Sequence, residues 1–216
     1  MVNNMLKKIY IVGAGGCGRE VACWIEDINK KEPTWEVVGF LDDNKNALEN
    51  YYCKYEIVDT ISEHVPDKDC FYAMGIATPA VKKIVAEKLK SKGAVFASII
   101  HPTTAIYSEH KLGEGLVTYP NSKIAIGCKV GDFVTIQSTV IGHDADIEDY
   151  VTISSNCGIT GGAKLREGCF LADHACISLG IEIGKNAYVG LGSVVIKDVP
   201  EDKKVFGNPA RIFAEK

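Results

Sequence analysis

Residues 141–195 read IGHDADIEDYVTISSNCGITGGAKLREGCFLADHACISLGIEIGKNAYVGLGSVV. Counting in sixes from Ile141 gives Ile147, Ile153, Ile159, Leu165, Leu171, Ile177, Ile183, Val189 and Val195, an aliphatic residue at every step. An α-helix repeats its buried face every ~3.6 residues and a half-buried strand every ~2, so a period of six belongs to neither and marks a structural repeat. Four residues after each aliphatic position stand Ala145, Val151, Cys157, Ala163, Cys169, Ala175, Ile181, Ala187 and Ser193, most of them small. Both positions are expected to point inward. The pattern predicts a solenoid of very short strands joined by tight turns, in which each coil buries what its neighbour buries.

Working outward from this stretch, the repeat begins near Ala105 in an earlier phase, with Leu112, Ile124, Val130 and Ile136. From Ile136 to Ile141 is five positions instead of six, so one residue is missing from a turn shortly before His143. A break inside a regular repeat is where a sequence yields packing to function. Beyond Val195 the pattern stops at Lys197-Asp198-Val199-Pro200, and the rest reads as a polar link, a loop and a short tail.

The first hundred residues have another character. Lys8 to Val12 is a β-rich run, followed at once by Gly13-Ala14-Gly15-Gly16-Cys17-Gly18 and a helical pattern from Arg19 to Ile28. Strand, glycine turn and helix in that order fit G-x-G-x-x-G, in which the glycines let a phosphate approach the N–H groups that open the helix. A second strand, Glu36 to Leu41, ends in Asp42-Asp43, two carboxylates placed for a ribose or base edge. Further strands are expected at Tyr55 to Val58 and at Cys70 to Met74 before Gly75, with a helix from Thr78 to Lys90 and a closing run from Val95 to Ile100. His101-Pro102 marks the boundary, because proline pushes the preceding residue out of the helical region. The chain thus divides into a Rossmann-like α/β domain with a ligand-binding glycine loop (1–101) and an all-β solenoid domain with its tail (102–216).

Composition limits the function. The 216 residues carry a net charge of −4 with both signs interspersed and a hydrophobic fraction of 46%. This suits a soluble globular protein and gives no basic stripe for nucleic acid. No apolar run reaches the length of a membrane span, and the opening residues lack a signal-peptide core, so a cytoplasmic location is expected. Of the eight cysteines, Cys157 and Cys169 fill small inward slots of the repeat, and no CxxC pair suggests zinc.

The glycine-bearing repeats Ile126-Gly127, Val130-Gly131, Ile141-Gly142, Ile183-Gly184 and Val189-Gly190 resemble the hexapeptide repeat of left-handed parallel β-helix acyltransferases. With the glycine-loop domain before them, His101-Pro102 between, Ile141-Gly142-His143-Asp144 within and Gly207-Asn208-Pro209-Ala210-Arg211 at the end, the whole chain resembles the NeuD/PglD-type sugar acyltransferases. The resemblance implies an acetyl-CoA-dependent transfer of an acetyl group to an amino or hydroxyl group of a nucleotide-linked sugar, with no metal. It also implies a homotrimer holding acetyl-CoA between neighbouring subunits and an amino-terminal domain holding the acceptor through Gly13, Gly15, Gly16, Cys17, Asp42, Asp43 and Gly75.

The family's catalytic histidine falls on His143 and its acidic neighbour on Asp144. The chemistry agrees: the acceptor must lose a proton as it attacks the thioester, a neutral imidazole can take it, and a carboxylate fixes the tautomer. Acetyl-CoA contacts are implied at Thr152, Ser154, Gly161, Asp173, Gly190 and Leu191. Gly161-Gly162 would leave room for a pantetheine arm, or simply suit a turn. Many members carry histidine where this chain has Cys17, which is read as a small residue lining the pocket. His174, 31 residues beyond His143, is off the eighteen-residue coil repeat, and His64, His101 and His110 lie outside the regular repeat, which speaks against a zinc site shared between subunits. The competing reading is a non-catalytic trimeric nucleotide-sugar-binding scaffold. An NAD-dependent oxidoreductase would leave the repeat without a role.

Overall fold

The computed structural model describes residues 6–107 and 110–213. Its first part contains Lys7–Val12 (β1), Gly16–Lys31 (α1), Trp35–Leu41 (β2), Ile57–Asp59 (β3), Cys70–Met74 (β4), Pro79–Ser91 (α2) and Val95–Phe96 (β5). The strands pair in parallel in the order β3-β2-β1-β4-β5. Ile9, Ile11 and Val12 of the central strand are fully buried, as expected of a parallel sheet covered on both faces. α1 buries Gly18, Val21, Ala22 and Ile25, one face at helical spacing. It starts three residues before the sequence pattern suggested, because Gly16–Gly18 are drawn into the helix by packing against the sheet. Gly18 lies directly on the carbonyl of Gly13, and a Cβ on Gly75 would come within 2.7 Å of the Gly18 Cα, so this crossing admits no side chain at either position.

The second part is a three-walled parallel β-helix of two-residue strands. One wall carries Ile99–Ile100, Val117–Thr118, Thr135–Ile136, Thr152–Ile153, Phe170–Leu171 and Tyr188–Val189; the second carries Ala105–Ile106, Lys123–Ile124, Val140–Ile141, Gly158–Ile159, Cys176–Ile177 and Val194–Val195; the third carries Lys111–Leu112, Lys129–Val130, Asp146–Ile147, Lys164–Leu165 and Glu182–Ile183. Ile141 sits over Ile159, Ile159 over Ile177 and Ile177 over Val195, so residues three hexapeptides apart stack up the inside. The small inward series is buried as read, with Ile181 packed at the edge of the same core.

One coil is a residue short: Lys123 pairs with Val140 and Thr135 with Thr152, steps of seventeen. The missing residue belongs to the corner 137–139, where Ser138 has φ +42°. The buried Thr139 hydroxyl ties this corner to the next coil, donating to the Ser154 carbonyl (2.8 Å) and accepting from the Cys157 N–H (3.1 Å).

Two sequence expectations need correction. Ile99–Ile100, read as closing the α/β part, pairs instead with Val117–Thr118 as the first rung of the first wall. The carboxyl end is not a simple loop: Val199 bridges to Ile183, Lys204–Phe206 runs parallel to Tyr188–Val189, and Arg211–Ile212 returns antiparallel. Val199 and Val205 continue the core, but Val199 follows Val195 by four residues, which breaks the count of six.

The α/β part covers the start of the first wall, where the outward residues Ile99, Val117, Thr135 and Thr152 are buried. Tyr119 spans the seam, donating to Glu20 Oε2 on α1 (2.8 Å), and ion pairs Lys83–Glu167 and Lys90–Glu114 lie at its rim.

Candidate active site

The three walls present different chemistry outward. The first is covered at its start and carries a stacked pair, Phe170 and Tyr188, further along. The third shows Lys111, Lys129, Asp146, Lys164 and Glu182, with Arg166 bridging Glu148 and Glu182, a solvated charged face. The second shows Ala105, Lys123, Val140, Gly158, Cys176 and Val194, small or apolar apart from one lysine. Its edge toward the third wall carries exposed Ile126, Leu179 and Ile196. His143 and Asp144 stand on that edge.

The pair is built by its glycines. Asp144 takes a left-handed conformation (φ +58°), its N–H donates to the Ile126 carbonyl (3.0 Å), and Gly127 below it leaves the space its carboxylate fills. The imidazole lies flat over Gly161, where a Cβ would be 2.6 Å from both Cε1 and Nε2. His143 Nδ1 and Asp144 Oδ2 are 2.7 Å apart. Because a carboxylate accepts, Nδ1 carries the proton and Nε2 presents its lone pair. The imidazole is 61% exposed in the single chain, so nothing among the described residues closes over it.

A cleft of about 860 Å³ lies elsewhere, between the α/β part and the β-helix. Gly16, Cys17, Arg19, Glu20, Tyr55 and Ala77 line it from one side, and Gln137 from the other. The sequence reading missed Gln137. Its signal was the five-residue interval, which belongs to the corner before that of His143 and turns toward this cleft. Arg19 stacks on Tyr51 with its guanidinium carbon 3.7 Å from the ring centre. Burial pushes the Cys17 thiol above its ordinary pKa, which favours the neutral thiol over the thiolate.

The residues read as acceptor-binding do not all face this cleft. Gly13 (φ +96°) and Gly75 serve the strand-to-helix crossing. Gly15 precedes α1 as its N-cap, and a Cβ on Gly15 or Gly16 would meet nothing. Asp42 accepts from the Ala14 and Asn44 N–H groups (both 2.8 Å) and Asp43 from the Ser62 N–H (2.7 Å), so both carboxylates brace their loops.

Among the residues read from sequence as acetyl-CoA contacts, Ser154, Asp173, Gly190 and Leu191 line up on the corner between the first and second walls, and Gly161 lies on the next corner beneath His143. Asp173 accepts from the Ser155 N–H (2.9 Å), and Leu191 is exposed. Two residues differ from expectation. Thr152 is fully buried in the seam, its hydroxyl donating to the Ala77 carbonyl (2.6 Å), so it cannot line an open coil wall. Gly190 lacks a side chain because the Phe206 ring rests on it.

Two of the other histidines are engaged structurally. His64 is buried between Asp59 (2.7 Å) and the Tyr72 hydroxyl (2.9 Å), and His101 between Thr103 (2.9 Å) and Asp27 (3.2 Å). Among the described residues no group of three His, Cys, Asp or Glu side chains could hold a metal ion, and no helix is long and apolar enough to cross a membrane.

Comparison with known proteins adds to this geometry. Residues 8–89 match the PglD N-terminal domain. The GDP-perosamine N-acetyltransferase of Escherichia coli O157:H7 is 27% identical over 209 residues, 93% of this chain and 94% of the relative. Serine acetyltransferase 2 of Arabidopsis thaliana is 33% identical over 137 residues, 61% of this chain, but the chain spans only 37% of that enzyme's length. In fold, the acetyltransferase domain of PglB from Neisseria gonorrhoeae FA1090, solved in complex with acetyl coenzyme A, is similar with a TM-score of 0.87 at 22% identity, covering 97% of this chain and 100% of that one. Residues 8–89 are thus similar to a PglD-type amino-terminal domain, and along nearly its full length the chain is similar in sequence to a GDP-perosamine N-acetyltransferase and in fold to the acetyltransferase domain of PglB.

Proposed function

We propose that this protein transfers the acetyl group of acetyl-CoA to an amino or hydroxyl group of a nucleotide-linked sugar, with His143 as general base. One observation carries the reading: an imidazole held by a carboxylate through Nδ1, with Nε2 unpartnered among the described residues, on the edge of a largely apolar wall. The relative named for GDP-perosamine N-acetylation supports an amino sugar as acceptor and nitrogen as the acylated atom.

In this mechanism Nε2 takes a proton from the acceptor N–H or O–H as the acceptor's lone pair attacks the thioester carbonyl carbon. The carbon–sulfur bond then breaks, and the departing CoA thiolate recovers that proton from the imidazolium. Asp144 stabilises the imidazolium while it exists. The acceptor would occupy the cleft beside the glycine loop. Ser154, Asp173 and Leu191 on one edge of the second wall and Gly161 on the other would flank acetyl-CoA lying along that wall.

The second wall supports the homotrimer. It is the side that neither the α/β part nor charge protects from water, and a neighbouring copy would both cover it and enclose His143. Placing two carboxylates on this wall three coils apart, Val140→Glu with Val194→Glu, is expected to give monomers by sedimentation and to abolish transfer. Trimers that persist with full activity would reject this interface. The reaction itself is tested by offering UDP-, GDP- and dTDP-linked amino sugars and free sialic acids with acetyl-CoA and measuring thiol release. An amino sugar nucleotide is expected to give the fastest release; release with none of them would overturn the reading.

A further inference from the structure

α2 buries one stripe, Lys82, Val85, Ala86 and Leu89. Three of the four are apolar, and the fourth is a lysine with no exposed surface. Its Nζ donates to Thr152 Oγ1 (2.9 Å), Thr135 Oγ1 (3.1 Å) and the Val151 carbonyl (3.2 Å), so the three N–H bonds of an ammonium are all used, on two consecutive coils of the β-helix. Among the described residues no carboxylate forms a salt bridge with it. The titratable groups facing it are the thiols of Cys17 on α1 and Cys169 inside the β-helix, and burial holds both protonated. Lys83, next in the helix, is paired with Glu167 at the rim of the seam.

Lys82 is also wired to the cleft. The Thr152 hydroxyl that accepts from it donates onward to the Ala77 carbonyl, and Ala77 lines the cleft together with Cys17, while Gln137 faces them from the β-helix side. The cleft therefore exists only while the two parts meet, and Lys82 makes three buried polar bonds at their joint.

We propose that Lys82 is a positioning residue for the acceptor: it docks the α/β part on the first wall, and in alkaline solution the joint opens with uptake of one proton by this side chain. The word acceptor rests on the function proposed above; the joint does not. In an open joint the side chain would be in water with a pKa of about 10.4. Closure strips water from the ammonium, and burial lowers its pKa to about 7. Between those values the closed joint holds a neutral amine and the open joint an ammonium. The open state then binds more protons, so closure is favoured as pH rises, by about tenfold per pH unit, and below about pH 7 the slope vanishes because both states carry the proton. A neutral amine keeps two N–H donors and gains a lone pair that the Thr135 hydroxyl can satisfy, so deprotonation does not orphan the network.

Amide hydrogen exchange of the full chain between about pH 6 and pH 9, corrected for intrinsic rates, tests this. Amides of α2 and of residues 75–78 are expected to gain protection by about tenfold per unit above pH 7 and to be flat below it, while coils 158–177 show no such slope. Lys82→Met should remove the slope. In steady state the same variant should raise the acceptor KM roughly tenfold and leave the acetyl-CoA KM unchanged. Wild-type protection without pH dependence, a Met variant that keeps the slope, or an unchanged acceptor KM would each overturn the proposal. Should the variant fail to fold, the wild-type slope decides. Exchange needs no substrate, so a protein with the slope and no transferase activity would count against the proposed function and leave the joint standing.

Discussion

His143→Ala is expected to lower turnover by roughly a hundredfold or more while leaving folding, assembly and acetyl-CoA affinity intact. The size follows from what the ring does and what it does not do. It is exposed in the chain and packs into no core, so its removal costs little stability. In the proposed mechanism it is the group that takes the acceptor's proton, and an alkylammonium acceptor must be deprotonated before it can attack. Asp144→Asn should cost less, because an amide keeps the geometry but can hold the wrong tautomer. Steady-state thiol release, with circular dichroism and sedimentation as controls, checks both variants. Equal turnover in wild type and His143→Ala would sink the assignment.

Gly161→Ala is expected to be nearly as damaging, though it removes no functional group. Gly161 is not in the left-handed region, so its backbone accepts alanine without strain. The added methyl instead meets the imidazole, 2.6 Å from Cε1 and Nε2. The ring must swing off the coil, and a displacement near 1 Å at a reacting atom costs on the order of a hundredfold. Acetyl-CoA affinity, measured by calorimetry, should change little. The neighbouring glycine is the control: Gly162 has φ +66° and its missing Cβ would make only an ordinary contact with the Gly180 Cα (3.9 Å), so Gly162→Ala should cost about 1 kcal/mol or more of stability and spare turnover. If Gly161→Ala lost acetyl-CoA affinity at unchanged turnover, the glycine would be making room for pantetheine and not for the catalytic ring.

The β-helix was legible because its geometry repeats. Once Ile141, Ile159 and Ile177 must stack on one another, six-residue spacing is a direct image of three walls and three corners. The end of the solenoid was not, since Val199 comes two residues early and Val205 restores the core only through an irregular link. His143, Asp144 and the glycine turn could be found by pattern, but the purpose of the glycines could not. Gly161 depends on a ring eighteen residues away, and Gly18 and Gly75 on a crossing between strand and helix. Asp42 and Asp43 looked like ligands because carboxylates at a strand end often are, whereas here they hold backbone N–H groups. Lys82 was readable in principle, since it sits in register with Val85, Ala86 and Leu89 on the buried stripe, yet a lysine in a helix is ordinarily assigned to solvent. Gln137 required knowing which way the shortened corner faces.

The most direct test follows the acyl group. Wild type and His143→Ala, each shown by calorimetry to bind acetyl-CoA, would be given labelled acetyl-CoA and a GDP-linked amino sugar, and the label traced by mass spectrometry. One labelled acetyl group on the acceptor amine for each thiol released by wild type, and almost none from the variant, is the expected result. Label carried equally by both proteins, or acetyl-CoA bound by neither, would contradict it.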